Sequence, residues 1–345
     1  NCMITFGIVP DSFGLGLSIP IPKSGSVQTV MNKEDFRGIT VSPTVSKIFE
    51  KCILQLFSNY FNSDECQFGF KKGFGCSHAT FCIKQVTDYY VAGGATVNIC
   101  SLDISKAFDK VNVFCLLDKL LKRRIPIQIL NILFIWFACS TIVVKWGNCL
   151  SNYFVLRAGV RQGGALSPFL FAVYVDELLV VLHKCGLGCC YKGVMCNAFM
   201  YADDLVLITA SLTHLQRLIE ICIQELSSIG LCLNANKSNI IRVGKRFRCV
   251  CNNVFLADNV IKFCNELRYL GVYFKAGTSL RFSFEHAKKK FYIAANGILG
   301  KVGNQPDVVL SLCCSFAVPY LLYGSGAMYL NKSERSPLDN PFRRL

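Results

Sequence analysis

Acidic residues are scarce in this chain. Only 22 of its 345 residues are Asp or Glu, against 37 Lys or Arg, a net charge of +15. The shortage excludes an acidic surface and suits a polyanionic partner, either nucleic acid or an anionic membrane. Charged residues make up 17% and aromatic residues 12%, which excludes a solvated, disordered chain. Internal repeats and low-complexity linkers are absent, so a repeat array is not expected. The opening NCMITFGIVPDSFG has neither a basic stretch nor a long apolar one, so no secretory signal is expected. The first residue is Asn1 rather than Met, so the chain reads as a fragment. At about 150 residues per domain its length corresponds to roughly two domains.

Two other things are missing. No C-x-x-C occurs among the 20 cysteines. The nearest groupings, Cys189-Cys190, Cys249-x-Cys251 and Cys313-Cys314, match no common zinc spacing, and neither do His183, Cys185, Cys189 and Cys196. Most of the cysteines sit singly in apolar runs, so reduced thiols and no zinc are expected. An uninterrupted membrane span is also missing, although the mean hydropathy is +0.39. The stretch Ile125 to Val144 is long enough. Pro126, Gln128 and Asn131 break its first half and β-branched residues crowd its end, so it reads as a buried helix running into a strand. The apolar run after Pro168 carries Asp176 and Glu177, which a lipid-facing helix rarely tolerates.

What is present alternates between strands and helices. A helix is expected from Pro43 through VSKIFEKCILQLF, followed by a basic glycine-rich loop, GFKKGFG, at 69–75. Val97–Ile104 reads as a strand. AFDKVNVFCLLDKLLKRR then reads as a helix with Leu116, Leu117, Leu120 and Leu121 on one face. Ser167-Pro168 is a helix start. FMYADDLVLIT at 199–209 has the apolar arms of a hairpin around a polar centre. Thr213 is placed to cap the next helix, which Gly230 ends. Short strands are expected up to Phe274 and helices beyond. Irregular alternation of this kind points to an α+β fold rather than a parallel βαβ array.

Two segments carry the chemistry. Asp103 ends an apolar strand in SLDISKAFD, and Asp203-Asp204 stand between two apolar arms in MYADDLVLI. The turn lacks the Asn-Gly or Asp-Gly of an ordinary hairpin. Adjacent aspartates repel one another, and a bound hard divalent cation such as Mg²⁺ would offset the charge. Two such ions suit an in-line displacement at phosphorus. A solvent-exposed acidic turn is the plainer alternative.

Further motifs stand in order around these. YADD at 201–204, LDISKAFD at 102–109 and GVRQGGALSPFLF at 159–171 closely resemble the palm motifs of reverse transcriptases, with the best match to animal non-LTR (LINE-type) retrotransposons. IPIPKSGS at 19–26 and DFRGITVSPTVSKIFEK at 35–51 resemble that family's fingers motifs. QFGFKKGFGCSHAT at 67–80, LNANKS at 233–238 and RYLGVYF at 268–274 also match in order.

The resemblance implies a right-hand polymerase fold. The fingers fall at 1–96, the first catalytic palm motif at 97–117, a fingers/palm insertion at 118–156, the palm at 157–275 and a thumb-like helical region at 276–345. It implies an RNA-directed DNA polymerase adding dNTPs to a primer 3′-OH with two Mg²⁺ ions, Mn²⁺ being a substitute. Asp103 and Asp203 would bind both ions, with Asp204 accessory. Tyr201 would lie beside the primer end, and Phe108 would be the steric gate against the ribose 2′-hydroxyl. Gln162 and Gly163 would lie along the nascent pair and template. Lys237 would give a proton to leaving pyrophosphate, while Lys23 and Arg37 would hold the incoming triphosphate. Tyr269, Leu270 and Gly271 would form the primer grip. Asp109 is expected to be structural.

Each role has a plainer counterpart. Tyr201 could be a β-former, Phe108 a core residue on a helix, Gln162-Gly163 a loop, and Lys237, Lys23 and Arg37 solvated cations. Lys71-Lys72, Lys122-Arg123-Arg124, Lys245-Arg246-Arg248 and Lys288-Lys289-Lys290 are either a phosphate-binding groove or solvated faces. The implied partners are an RNA template, a DNA primer or target, and dNTPs, with no membrane. An endonuclease domain is expected in the parent polyprotein and is not visible here. The implied process is target-primed reverse transcription. The implied location is intracellular and nuclear, with cytoplasmic assembly on element RNA, and not secreted. The alternatives are a catalytically inactive remnant that only binds nucleic acid, an RNA-templated RNA polymerase or intron maturase, and a membrane protein.

Overall fold

The computed structural model describes residues 2–23, 32–303, 305–327 and 338–340. Residues 24–26 of the IPIPKSGS motif therefore lie outside the described residues, as do 304, 328–337 and 341–345 of the C-terminal region. The chain divides into two compact units. The first is built from Asn1–Phe70, Ile104–Val181 and Cys222–Leu233, the second from Lys71–Asp103, Leu182–Ile221 and Asn234–Leu345.

The first unit holds a five-stranded sheet. Its strand Leu15–Pro22 runs antiparallel to Phe36–Val41 and parallel to Thr141–Trp146, which also pairs with Cys149–Leu150 and Phe154–Val155. Parallel pairing covers only Leu15–Ser18. Pro20 and Pro22, which lack an N–H, fall past it, where the strand has one neighbour. Phe13, Phe49 and Trp136 pack with ring centroids 5.5–6.0 Å apart, and Trp136 Nε1 donates to the Phe13 carbonyl at 2.9 Å.

The helix expected over 107–124 begins later than its periodicity suggests. Phe108–Lys110 is a single 3-10 turn, and the α-helix runs Val113–Lys122. Asn112 resets it by accepting from the Phe114 and Cys115 N–H groups at 2.9 and 3.3 Å. Phe108 is therefore not on the amphipathic helix. Leu116, Leu117 and Leu120 are buried, whereas Leu121 is exposed. Ile127–Ala138 and Thr141–Trp146 form the expected helix and strand. Asp176 and Glu177 are paired within the helix Ser167–Lys184: Asp176 accepts from Arg123 and from the Asp64 N–H, both at 2.6 Å, and Glu177 pairs with Lys119. Among the described residues no helix is long and apolar enough to cross a membrane.

The second unit is built on a six-stranded sheet. Its order is Val254–Leu256, Asn259–Phe263, Leu233–Val243, Val97–Ile104, Asp204–Thr209, Ala198–Tyr201. The expected antiparallel pairing holds where Asp204–Thr209 meets both of its neighbours. Leu233–Val243 and Asn259–Phe263 are parallel instead, so the sheet is mixed. Val97, Ile99, Cys100 and Leu102 are fully buried, as expected of an interior strand. The helix Cys76–Ala92 contacts the Ala198–Tyr201 strand. The helix Leu212–Ser228 is capped by Ser211, whose Oγ accepts from the His214 N–H at 3.4 Å, and not by Thr213. Leu215, Leu218, Ile219, Cys222 and Leu226 are buried along it.

A separate three-stranded sheet, Glu266–Tyr269, Val272–Lys275 and Arg281–Ser283, extends the strands past Phe274. Helices Glu285–Val302, Pro306–Phe316 and Val318–Leu322 follow around a core of Phe291, Ala295, Val309, Cys313 and Leu321. None of the 20 cysteines is in a disulfide.

Candidate active site

Strand alternation leaves Ser101 and Asp103 half-buried while Leu102 and Ile104 are buried. The neighbouring strand then sets the partner. Asp204 stands directly opposite Asp103, and the next pair, Leu205 and Leu102, is fully buried. Val206, Leu207, Ile208, Ile99 and Cys100 are buried as well, so both faces of this strand pair are covered. Tyr201 opposite Asp204 closes the hairpin, leaving Ala202-Asp203 as a two-residue turn with Ala202 at φ +57°. Carboxylates facing each other across strands are destabilising. Burial, followed by the charges of Asp203 and Asp103, pushes the Asp204 carboxyl up to about 6, with Arg268 opposing. Lys237 Nζ lies 3.9 Å from Asp103 Oδ2 and is exposed. Beside it, buried Ser238 accepts from the Asp103 N–H at 3.4 Å.

Tyr201 and Tyr269 neighbour Asp204. Tyr269 is 2% exposed and its hydroxyl is buried without a partner among the described residues. Burial, reinforced by the Asp204 charge, holds this phenol well above its ordinary range. Tyr269 closes a hairpin whose turn is Leu270 (φ +48°) and Gly271 (φ +78°), both left-handed as a type I′ turn requires. Tyr323 donates to the Leu270 carbonyl at 2.9 Å. The Cys76 thiol lies against the phenols of both Tyr201 and Tyr323, and burial raises both phenols. Cys76 and Tyr323 were not anticipated. Cys76 stands inside the GFGCSHAT motif, which carried a signal. Tyr323 stands in no motif.

The remaining candidates lie in the first unit. Phe108 stacks on Phe171 (4.6 Å, 18°) and meets Phe70 edge-on at 6.4 Å. Its carbonyl accepts from the Val160 N–H at 2.9 Å. Gln162 Nε2 donates to Asp109 Oδ1 at 2.9 Å, and its carbonyl accepts from the Thr40 N–H at 2.7 Å. Gly163 has φ +126°, and a Cβ there would meet the Thr40 oxygen at 2.3 Å.

Half-buried Arg161 and buried Glu50 brace this loop. The Arg161 guanidinium donates to the carbonyls of Phe13 and Gly14 and to Ser140 Oγ. Glu50 accepts from the Ala165 and Leu166 N–H groups where the helix begins. Burial pushes Glu50 up, opposed by those two N–H groups, and pushes Arg161 down. Lys23 and Arg37 sit at the loop end of the Leu15–Pro22/Phe36–Val41 pair. Arg37 faces Ile21, and the Lys23 N–H donates to the Asp35 carbonyl at 2.8 Å. Both side chains are exposed.

The carboxylates offer hard oxygen donors, and the charges of Asp203 and Asp103 both act against ionisation of Asp204. Among the described residues their oxygens do not all lie within 4.8 Å of one another, consistent with mutual repulsion. A donor set of this kind fits a divalent cation.

Residues 21–274 match the profile of the family described as "Reverse transcriptase (RNA-dependent DNA polymerase)". The Pol polyprotein from type-2 retrotransposable element R2DM of Drosophila melanogaster is 27% identical, over 81% of this chain and 27% of its own length. The Pol polyprotein from retrotransposable element R2 of Popillia japonica is 26% identical over 92% of this chain and 45% of its own. The RNA-directed DNA polymerase from mobile element jockey of Drosophila funebris is 25% identical over 79% and 30%. The chain thus spans less than half the length of these relatives. Among solved structures, Candida tropicalis telomerase in complex with a fragment of telomeric RNA superposes with TM-score 0.54 at 13% identity, over 97% of this chain and 58% of that one. The apo enzyme truncated of its C-terminal domain gives 0.52 at 14%, over 80% and 56%. The shared architecture is the right-hand polymerase fold.

Proposed function

The chain belongs to the reverse transcriptase (RNA-dependent DNA polymerase) family, and from that premise we propose that it extends a primer 3′-hydroxyl with dNTPs along an RNA template. The observation that carries this is the register setting Asp103 opposite Asp204, with Asp203 in the adjoining turn. The family generally uses divalent metal ions. We assign two Mg²⁺ ions, replaceable by Mn²⁺, to Asp103, Asp203 and Asp204. When bound, such ions lower the primer hydroxyl's pKa and neutralise charge on the triphosphate.

The chain's own groups do the rest. Lys237 carries a mobile proton on an exposed ammonium beside Asp103, available to departing pyrophosphate. Phe108, wedged against Phe171 and Phe70, is held as a rigid wall against a 2′-hydroxyl. Asp109 orients Gln162, and Gly163 lets the backbone approach Thr40, so the Gln162-Gly163 edge is preformed for the template pair. Lys23 and Arg37 hold the triphosphate. Tyr201 lies beside the primer end, and Tyr269-Leu270-Gly271 grip the primer.

The same reading assigns fingers to 1–96, palm to 97–117 and 157–275 around an insertion at 118–156, and thumb to 276–345. It assigns the parent protein to target-primed reverse transcription in the nucleus, with the nick made by an endonuclease domain of that protein. Primer extension tests the core of the reading, using an RNA template, a DNA primer, dNTPs and Mg²⁺. The expected outcome is extension that Asp203→Asn/Asp204→Asn abolishes while template binding persists. Extension that survives the double substitution would falsify the assignment of the carboxylates.

A further inference from the structure

The basic run Lys245-Arg246-Arg248 is used by none of these steps, and it borders a second site within the second unit. The loop after the Leu233–Val243 strand walls an open cavity of about 700 Å³, together with the ends of the Asn259–Phe263 and Val272–Lys275 strands. Arg242, Arg248 and Lys275 line it, and no carboxylate does. The aromatic lining is Phe247 and Phe263. Phe263 is 37% exposed, and the Arg248 guanidinium lies over Phe247 at 5.2 Å.

The loop is braced. Gly244 (φ +131°) sits so close to Ala95 that a Cβ would meet its oxygen at 2.5 Å, and the Gly244 N–H donates to Gly277 at 2.8 Å. The Arg246 N–H donates to Thr96 Oγ1 at 3.1 Å. Arg242 donates through Nη1 to the Cys249 carbonyl at 2.6 Å, while its Nε is buried with no hydrogen-bond partner among the described residues.

Among the described residues Arg242, Arg248 and Lys275 make no ion pair, although Glu266 stands opposite Lys275 in the hairpin. The three cations select an anion, and the exposed Phe263 selects a flat ring. Phosphate backbone and bases satisfy both. The cavity also lies on two strands that lead from the candidate active site. Arg242 is five residues past Lys237 on one strand, about 17 Å at 3.3 Å per residue. Lys275 ends the strand that follows the Leu270-Gly271 turn. The odd spacing of Lys237 and Arg242 puts them on opposite faces of the Leu233–Val243 strand, so the cavity is a site apart from the one at the carboxylates.

We propose that this cavity binds a short single-stranded stretch of polynucleotide, with phosphates on Arg242, Arg248 and Lys275 and a base against Phe263. The proposal rests on the polymerase reading only for what delivers the strand.

The test uses the full chain and two fluorescein-labelled probes, oligouridine RNA and oligothymidine DNA. Their relative affinity distinguishes an RNA from a DNA occupant. Arg242→Gln/Arg248→Gln/Lys275→Gln is expected to flatten the slope of log K against log salt by about 2, at ~0.7 per single-strand phosphate lost. The charge-matched Lys51→Gln/Lys192→Gln/Arg217→Gln should change it much less. In the wild-type protein, either probe should protect exposed Cys249 from N-ethylmaleimide while leaving exposed Cys149 reactive. This second readout holds if the triple variant does not fold. Equal slopes for the two triple variants, or unprotected Cys249, would overturn the proposal. Protection of Cys249 in a protein that extends no primer would leave this site standing and remove the polymerase reading instead.

Discussion

Asp204 couples function to stability through a single proton. Its carboxyl is raised to about 6 from an ordinary 3.8. Between those values the folded chain keeps a proton that the unfolded chain has released. The resulting stabilisation is fully present below about pH 4 and is lost as pH rises through about 6. Above that, an ionised Asp204 faces Asp103 and adjoins Asp203. Asp204→Asn is therefore expected to raise the melting temperature at about pH 8 and to leave it nearly unchanged near pH 4. Mg²⁺ should narrow the gap, since it stabilises the wild type by mass action. Melting curves at both pH values, with and without Mg²⁺, check this; a gap independent of pH would refute it. At Phe108 the expectation concerns specificity. Phe108→Val should lower the ratio of kcat/KM for dNTP over NTP by roughly 10–100-fold, the range open to a packing contact. An unchanged ratio would return Phe108 to a plain core role.

At the scale of elements, two turns hold unusual backbone for different reasons. Ala202 adopts φ +57° in the YADD turn, a region that costs a non-glycine residue about 1 kcal/mol or more. Ala202→Gly is expected to stabilise the hairpin by about that amount in urea denaturation, and a loss of stability would argue against strain there. Gly163 is the reverse case. Its φ is already left-handed and its missing Cβ is what admits the Thr40 carbonyl. Gly163→Ala should destabilise by about 2 kcal/mol, because backbone rather than a flexible side chain would have to move. It should also depress extension, since Gln162 is anchored to the same Thr40. Wild-type urea midpoints for this variant would refute the close approach. At the other hairpin, Gly271 packs under the Tyr323 ring, whose hydroxyl holds the Leu270 carbonyl.

At the scale of the whole molecule, charge dominates. A net +15 on 345 residues makes binding to any polynucleotide strongly salt-dependent. If six to ten phosphates are neutralised, affinity for a primer–template should fall by about 10³–10⁵ between 50 and 200 mM salt. A titration in that range checks it, and a flat response would mean that most of the cations are solvated. Charge distribution also explains why the helix Ser167–Lys184 reads as apolar yet stays within a folded unit. Asp176 and Glu177 are matched by Arg123 and Lys119.

The amino-acid sequence by itself determined the local elements and the identity of the carboxylates. Val97–Ile104, the hairpin around Asp203 and the helix from Ser167 follow from short-range periodicity and turn chemistry, which neighbouring residues dictate. Local signals misled where two competed. Asn112 outweighed the helical pattern that runs through Phe108, and Ser211 capped ahead of Thr213. The motif order made the family legible, but a motif does not show what its residues touch. Tertiary structure alone decided that Asp103 faces Asp204, that Asp109 serves Gln162, that Arg161 donates to the Phe13 and Gly14 carbonyls, and that Cys76 and Tyr323 join Tyr201. These contacts join residues far apart in the chain. They depend on strand register and packing, which short-range pattern does not encode.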